Sequence, residues 1–165
     1  METRAEAVSK AHVVTISDRV SARKMEDKSG PALVRILTSA GFDVSTPEVV
    51  PDVQQDIADA IEAAIVRGAE VVITTGGTGL GPRDVTPQAT SRVIDFEVPG
   101  IAEAMRRAGA ATTPMAALSR GIAGVRGRTL IINVPGSAKG AAESLEAVIP
   151  VLDHAIRLLH GDTNH

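Results

Sequence analysis

The residue types best suited to chemistry crowd into one stretch, Val71 to Ala89, V-V-I-T-T-G-G-T-G-L-G-P-R-D-V-T-P-Q-A. A β-branched run leads into Gly76, Gly77, Gly79 and Gly81, interleaved with Thr78. Arg83 and Asp84 then stand side by side before an expected helix. Glycine lets the backbone take positive φ and come close to a ligand, with N–H groups free to face phosphate oxygens. A carboxylate just beyond is an oxygen donor suited to Mg²⁺, which takes one or two carboxylates together with substrate phosphates. The stretch reads as a phosphate-handling loop at the carboxyl end of a buried strand. A simple tight turn would explain the glycines but not the threonines, the arginine and the aspartate. Neither common phosphate fingerprint fits. Pro82 and Arg83 stand where a P-loop needs Lys and then Ser or Thr, and Gly77-Thr78-Gly79 runs on into Gly81-Pro82 without completing G-x-G-x-x-G.

Four places carry candidate groups, the first within that stretch. Asp84 lies two residues before Thr86-Pro87, an expected helix start. An acid there gains roughly 0.3–1 kcal/mol from the helix dipole. A lone carboxylate would nevertheless repel the anion the glycines await, and a divalent cation between them removes the conflict. Asp52 begins D-V-Q-Q, a capping-box pattern with Gln55 three residues on; its place after a strand also sends it to the same rim as Asp84. Lys139, the only lysine after Lys28, sits in the Pro-Gly loop before the last helix, where a cation opposes the dipole unless an anion is bound. Ser137 and nearby N–H groups could take that anion; the bland alternative is a solvated lysine. Ser119-Arg120 precedes G-I-A-G-V-R-G-R, and Arg120, Arg126 and Arg128 either clamp phosphate or stand exposed in a loop.

The elements that must position these groups follow from periodicity. His12 to Ser17 reads as a buried strand and Asp18 to Lys28 as a charged loop. Gly30-Pro31 starts a helix with Leu33, Ile36, Leu37 and Ala40 at helical spacing, ended by Gly41. Phe42 to Val50 is a second strand. A second helix follows Asp52, with Val53, Ile57, Ala60, Ile61, Ala64 and Ile65 on one face and Gly68 as its stop. Glu70 to Thr75 is the third strand. Two short helices, parted near Pro99-Gly100, are expected between Thr86 and Ala108. Thr129 to Val134 is another buried strand, and the final helix carries Leu145, Val148, Ile149, Leu152, Ala155, Ile156 and Leu159, with Pro150 expected to bend or interrupt it.

This β-α-β-α-β order predicts an α/β fold, a three-layer α/β/α arrangement around a mostly parallel sheet. Ligands of such sheets sit outside the carboxyl ends of the strands. The loops after Ser17, Val50, Thr75 and Val134 should therefore meet on one rim, bringing Asp18-Arg19, Asp52, the glycine run with Asp84, and Asn133 to Lys139 together.

Composition narrows the classes. The chain has 165 residues, a length suited to one domain with a buried core, and residues 1–11 read as a flexible arm before a domain spanning 12–165. Phe42 and Phe96 are its only aromatics, which argues against stacking-based binding of single-stranded nucleic acid. A formal charge of −3 offers no general attraction to nucleic acid or anionic membrane, so any anion must be held by local geometry. There is no cysteine, which excludes thiolate metal sites, disulfides and a cysteine nucleophile. No apolar segment approaches membrane-spanning length and no secretory signal is visible, so the expected location is the cytoplasm.

The motifs T-T-G-G-T-G (Thr74 to Gly79), P-R-D-V-T-P-Q-A-T (Pro82 to Thr90) and L-I-I-N-V-P-G-S (Leu130 to Ser137) closely resemble the Mog/MoaB group of molybdenum-cofactor biosynthesis proteins, whose fold recurs in the G domains of gephyrin. I-S-D-R (Ile16 to Arg19), D-K-S-G-P (Asp27 to Pro31), V-P-D (Val50 to Asp52), V-P-G (Val98 to Gly100) and L-S-R-G (Leu118 to Gly121) extend the resemblance from His12 to Gly161. It implies a molybdopterin adenylyltransferase that uses Mg²⁺ and ATP to attach AMP to the terminal phosphate of molybdopterin, releasing pyrophosphate. The alternative it leaves is a carrier or scaffold that binds molybdopterin without catalysis. The family's essential aspartates fall on Asp52 and Asp84, both catalytic and metal-binding. Its nucleotide loop falls on Thr75, Gly76, Gly77, Thr78 and Gly79, and the pterin-side serine on Ser119. Ser17, Asp18, Arg19, Arg120, Pro135, Gly136, Ser137 and Lys139 complete the expected substrate-binding set. The resemblance further implies a homo-oligomer, a trimer or hexamer, and hand-over of product to a molybdenum-inserting protein.

Overall fold

The computed structural model describes residues 7–163. The expected arm falls largely outside this range, but its last part does not: Lys10 and Ala11 already belong to the first strand and pair with Asp43 and Val44. That strand, β1 (Lys10–Ile16), is followed by α1 (Asp18–Ser21), α2 (Ser29–Ser39), β2 (Asp43–Val44), β3 (Glu48–Val50), α3 (Gln54–Val66) and β4 (Val71–Thr75). The second half runs α4 (Thr86–Val93), β5 (Phe96–Glu97), α5 (Pro99–Ala110), a 3₁₀ turn (Pro114–Leu118), β6 (Ala123–Arg126), β7 (Thr129–Val134) and α6 (Ala138–Leu159).

These strands form one seven-stranded sheet in the order β2-β1-β4-β7-β6-β5, with β3 also on β1. β1, β4 and β7 run parallel and apolar through the centre. Alternate residues face opposite layers, as the two-residue period of a strand requires. Val13, Ile73 and Ile132 pack with Leu33, Leu37, Met105, Leu145 and Ile156 of α2, α5 and α6. Val14, Val72 and Ile131 pack with Ile57, Ile61, Ala89 and Val93 of α3 and α4. Both faces of the sheet are covered, giving the three-layer α/β/α architecture with a mostly parallel sheet.

Several local expectations are corrected. The stretch from Phe42 to Val50 is two short strands, both parallel to β1. Pro47 stands between them and has no N–H to give the ladder. The charged loop after β1 opens with the single turn α1, capped by the Ser17 hydroxyl, which accepts the Val20 N–H at 3.2 Å. Glycine-punctuated residues 121–128 are largely the antiparallel strand β6, joined to β7 through the turn at Gly127, and β5 extends it at the sheet edge. Pro150 does not interrupt α6. It lies on the exposed side, while Leu145, Val148, Leu152 and Ile156 hold the helix to the sheet from both sides of it.

Strand register places the functional rim. Ile16 lies opposite Val50, Thr15 opposite Thr75, and Thr75 opposite Val134. The chains leaving β1, β3, β4 and β7 therefore emerge at one level. Gly76 crosses this level with φ +102, directly over the Ile16 carbonyl oxygen, which a β-carbon at Gly76 would overlap. Gly127, in the β6–β7 turn, has φ +58 and open space around it.

That contrast gives a test. Gly76→Ala should lose about 3 kcal/mol or more of unfolding free energy, because steric overlap adds to an unfavourable φ. Gly127→Ala should lose only about 1–2 kcal/mol. Urea midpoints of the two variants check this, and equal losses would contradict the close approach at Gly76.

Candidate functional site

The glycine loop is held from three sides. Gly76 N–H donates to the Val134 carbonyl at 3.1 Å, fastening the loop to the end of β7. The Thr86 hydroxyl, at the start of α4, donates to the Gly76 carbonyl at 2.8 Å, and Thr86 N–H donates to Gly77 O at 3.1 Å. The Thr75 hydroxyl donates to Pro135 O at 2.7 Å, tying β4 to the Pro-Gly-Ser loop. Arg120 supplies the third side: Nε donates to Gly79 O at 2.8 Å, Nη2 to Asp84 O at 2.8 Å, and its own N–H to Thr78 O at 2.8 Å.

The glycines do more than free the loop for a ligand: they make room for the two acids. A β-carbon at Gly77 would stand 3.1 Å from Asp52 Oδ1, and one at Gly79 or Gly81 would stand 2.9 Å from Asp84 Oδ2. Asp84 folds back so that Oδ2 accepts the Gly81 N–H at 2.9 Å. Asp52 is not the helix cap that its D-V-Q-Q pattern suggests. The N-cap of α3 is Val53, without a side-chain bond, and Asp52 turns away to accept the Asp18 N–H on Oδ2 at 2.9 Å. Asp18 Oδ1 accepts the Asp52 N–H in return at 3.0 Å, so a tertiary partner displaces the local one.

Two cavities meet at this loop. The larger, about 490 Å³, is lined by Ser17, Asp52, Thr75, Gly76, Gly77, Asp84, Gly136 and Ser137, with Thr15 and Asp27 at its back. The other, about 300 Å³ and more apolar, is lined by Thr78, Gly79, Met105, Met115, Ser119, Asn133, Pro135 and Ser137. Ser137 lines both, so the Pro-Gly-Ser and glycine loops form the saddle between them. Ser137 Oγ also caps α6, accepting the Gly140 N–H at 3.1 Å.

Twelve of the expected site residues thus line one cavity or both, and four line neither. Asp18 is occupied by Asp52 N–H and by Arg83, whose Nε and Nη2 donate to its two oxygens at 2.9 and 3.0 Å. Arg19 is exposed on α1. Arg120 has its guanidinium committed to loop carbonyls, so it braces the site from outside. Lys139, with a side chain 74% exposed, lies 4.0 Å from Glu143 one helical turn on.

Sequence reasoning missed two supports. Asp27 accepts the Thr15 hydroxyl at 2.8 Å and the Gly30 N–H at 3.0 Å, fixing the start of α2 against the cavity floor. Arg106 Nη1 donates to Gly121 O at 3.0 Å and Ser119 O at 3.4 Å, steadying the serine. The D-K-S-G-P pattern held a signal for Asp27, since an acid three residues before Gly30 suits a helix start. Nothing local pointed to Arg106.

The acids titrate apart. Burial, chiefly, raises the Asp52 pKa above the ordinary aspartate value; the Asp18 N–H opposes this, and the charges of Asp18 and Asp84 add to it. Hydrogen bonds from Arg83, then from Asp52 N–H, lower that of Asp18. Asp52 therefore holds its proton to higher pH in the fold, and stability from that proton is lost as pH rises from the unfolded value through the folded one. For Asp18 the sign is reversed: its contribution is present above the unfolded value and lost as pH falls through the folded one.

Comparison with known proteins identifies the family and the fold. Residues 12–154 match the family described as "Probable molybdopterin binding domain". A solved molybdopterin biosynthesis enzyme MoaB from Thermus thermophilus is 49% identical with a TM-score of 0.88, covering 93% of this chain and 98% of that one. A molybdopterin adenylyltransferase of Helicobacter pylori is 37% identical over 155 residues, 91% of this chain and 87% of the relative. A molybdenum cofactor biosynthesis bifunctional protein of Synechococcus elongatus is 41% identical over 151 residues, 92% of this chain; the chain spans only 47% of that relative's length.

An NMR titration of the aspartate carboxyl carbons should place Asp52 above, and Asp18 below, the ordinary aspartate midpoint. Because Asp84 contributes charge at Asp52, Asp84→Asn should move the Asp52 midpoint down. No movement would mean the two acids do not sense each other.

Proposed function

The chain belongs to the molybdopterin-binding domain family, and from that premise we propose that it transfers the adenylyl group of ATP to molybdopterin in molybdenum-cofactor biosynthesis. The observation that carries the reading is the pairing of Asp52 and Asp84 on one cavity, beneath a glycine loop whose far side lines a second. Two cavities across one saddle suit two substrates whose reacting groups must meet.

In the proposed reaction a terminal phosphate oxygen of molybdopterin attacks the α-phosphorus of ATP. The new P–O bond forms as the bond to the β-phosphate bridging oxygen breaks, and pyrophosphate leaves with that electron pair. The nucleophile is already anionic at neutral pH, so no Ser, Cys or His base is required. The chain's task is to position two anions and offset their charge. Gly76, Gly77, Thr78 and Gly79 present the backbone to the nucleotide phosphates, with Thr75 fixing the loop's root. Ser119 and Pro135 face the pterin side, and Ser17, Gly136 and Ser137 line the phosphate path between.

Asp52 and Asp84 fit Mg²⁺ as a donor set: two carboxylates on one cavity, with room for phosphate and water oxygens. Among the described residues no group of three or more His, Cys, Asp or Glu side chains is placed to hold a metal ion, so the proposed site has two protein carboxylates only. Bound there, Mg²⁺ supplies charge neutralisation at the phosphates. Asp18, Arg19, Arg120 and Lys139 are not assigned substrate contacts in this reading.

We extend the proposal to a domain of residues 12–165 working in the cytoplasm as a homo-oligomer, trimer or hexamer, and passing its product to a molybdenum-inserting protein. Among the described residues no helix is long and apolar enough to cross a membrane. A light-scattering mass equal to that of a single chain would refute the assembly.

Purified protein supplied with molybdopterin, Mg²⁺ and ATP should release pyrophosphate. Asp84→Asn should lower turnover by about 10²–10³-fold, the scale for removing one charge-stabilising group, with a far smaller change in molybdopterin affinity. Molybdopterin binding with no pyrophosphate release from the unaltered protein would favour the non-catalytic carrier.

A further inference from the structure

We infer that Asp18 and Arg83 are positioning residues that set the separation of Asp52 and Asp84 for a divalent cation. The inference rests on the metal reading proposed above. Its basis is a continuous run of contacts linking two acids that reach the cavity from different strands.

Asp52 follows β3 and Asp84 follows the glycine loop after β4, and no direct bond joins the two carboxylates. Asp18 bridges the gap. Its N–H donates to Asp52 Oδ2 at 2.9 Å and its Oδ1 accepts the Asp52 N–H at 3.0 Å, so the turn bearing Asp52 is held at both ends. The same carboxylate accepts Nε and Nη2 of Arg83, at 2.9 and 3.0 Å, in the two-pronged geometry only a guanidinium provides. Arg83 is the residue next to Asp84, whose own carboxylate is folded onto Gly81 N–H. The route Asp52–Asp18–Arg83–Asp84 therefore ties one acid to the other through two fixed joints.

Neither Asp18 nor Arg83 lines either of the two cavities, so both act on this site through their neighbours. Stability alone does not account for the pair. The Arg83 and Asp18 side chains are 63% and 40% exposed, so water screens the pair and folding gains only what its two-pronged contact adds. Electrostatic support of the cation does not account for it either, since a guanidinium beside two metal-binding carboxylates repels a cation. The contacts the pair makes are those of groups that hold geometry, analogous to the outer partners that orient metal ligands.

The two explanations predict opposite signs for one variant. Arg83→Gln removes a positive charge, so field effects alone would tighten binding of a bare cation. Loss of positioning would weaken it. Binding of Mn²⁺ alone, followed by the electron paramagnetic resonance signal of the free ion, should be about 10-fold weaker in Arg83→Gln than in the unaltered protein. Arg83→Lys, which keeps the charge and loses the two-pronged contact, should fall between them. Thermal midpoints of both variants should stay close to the starting value, which separates lost geometry from lost folding. Arg83→Gln binding Mn²⁺ as tightly as the unaltered protein, or more tightly, would overturn the inference while leaving the metal reading intact. If the unaltered protein takes up Mn²⁺ no better than Asp84→Asn, the metal reading and this inference fall together.

Discussion

The level at which four parallel-facing strands end governs the rest of this molecule. Ile16, Val50, Thr75 and Val134 are brought into line by the β1–β3, β1–β4 and β4–β7 ladders. The loops that carry Asp18, Asp52, Asp84 and Ser137 all leave the sheet at that line. Gly76 makes the line usable, because its backbone passes over the Ile16 carbonyl where no side chain fits. A bulkier residue would lift the loop, and with it Asp84 away from Asp52.

The second constraint is electrostatic. Two carboxylates share a cavity whose purpose, on the proposed reading, is to receive phosphates. Glycines at 77, 79 and 81 let the acids press against the loop backbone, where N–H groups and neighbouring arginines offset part of their charge. The remaining negative charge is what a divalent cation would satisfy. Arg83 and Arg120 both spend their guanidinium groups on the protein itself: one bonds the Asp18 carboxylate, the other the carbonyls of the loop.

Much of this was legible from residues alone, for physical reasons. Strands buried on both faces appear as unbroken apolar runs, so β1, β4 and β7 stood out, and parallel order then dictated that their carboxyl ends share a rim. The antiparallel arm was harder to see. Gly124 dilutes the apolar pattern of β6 because the strand passes close to the Phe96 carbonyl and the Ile94 side chain. The R-G-R hairpin turn before Thr129 was a usable signal. Side-chain roles set by distant partners were invisible. Asp52 carried a convincing capping pattern, yet its bond goes to Asp18, and Asp18 in turn holds an arginine 65 positions away. Lys139 read as either an anion ligand or a solvated lysine, and nothing local in the sequence marked Glu143, 4.0 Å from it one turn later, as its neighbour.

The central claim is that Asp52 and Asp84 bind one and the same cation together with nucleotide phosphate. Anomalous diffraction from crystals grown with Mn²⁺ and a non-hydrolysable ATP analogue tests it most directly. The account predicts a single manganese peak in direct contact with both carboxylates and with a phosphate oxygen, below the Gly76–Gly79 backbone. An analogue seated in the cavity with its manganese touching neither acid would contradict it.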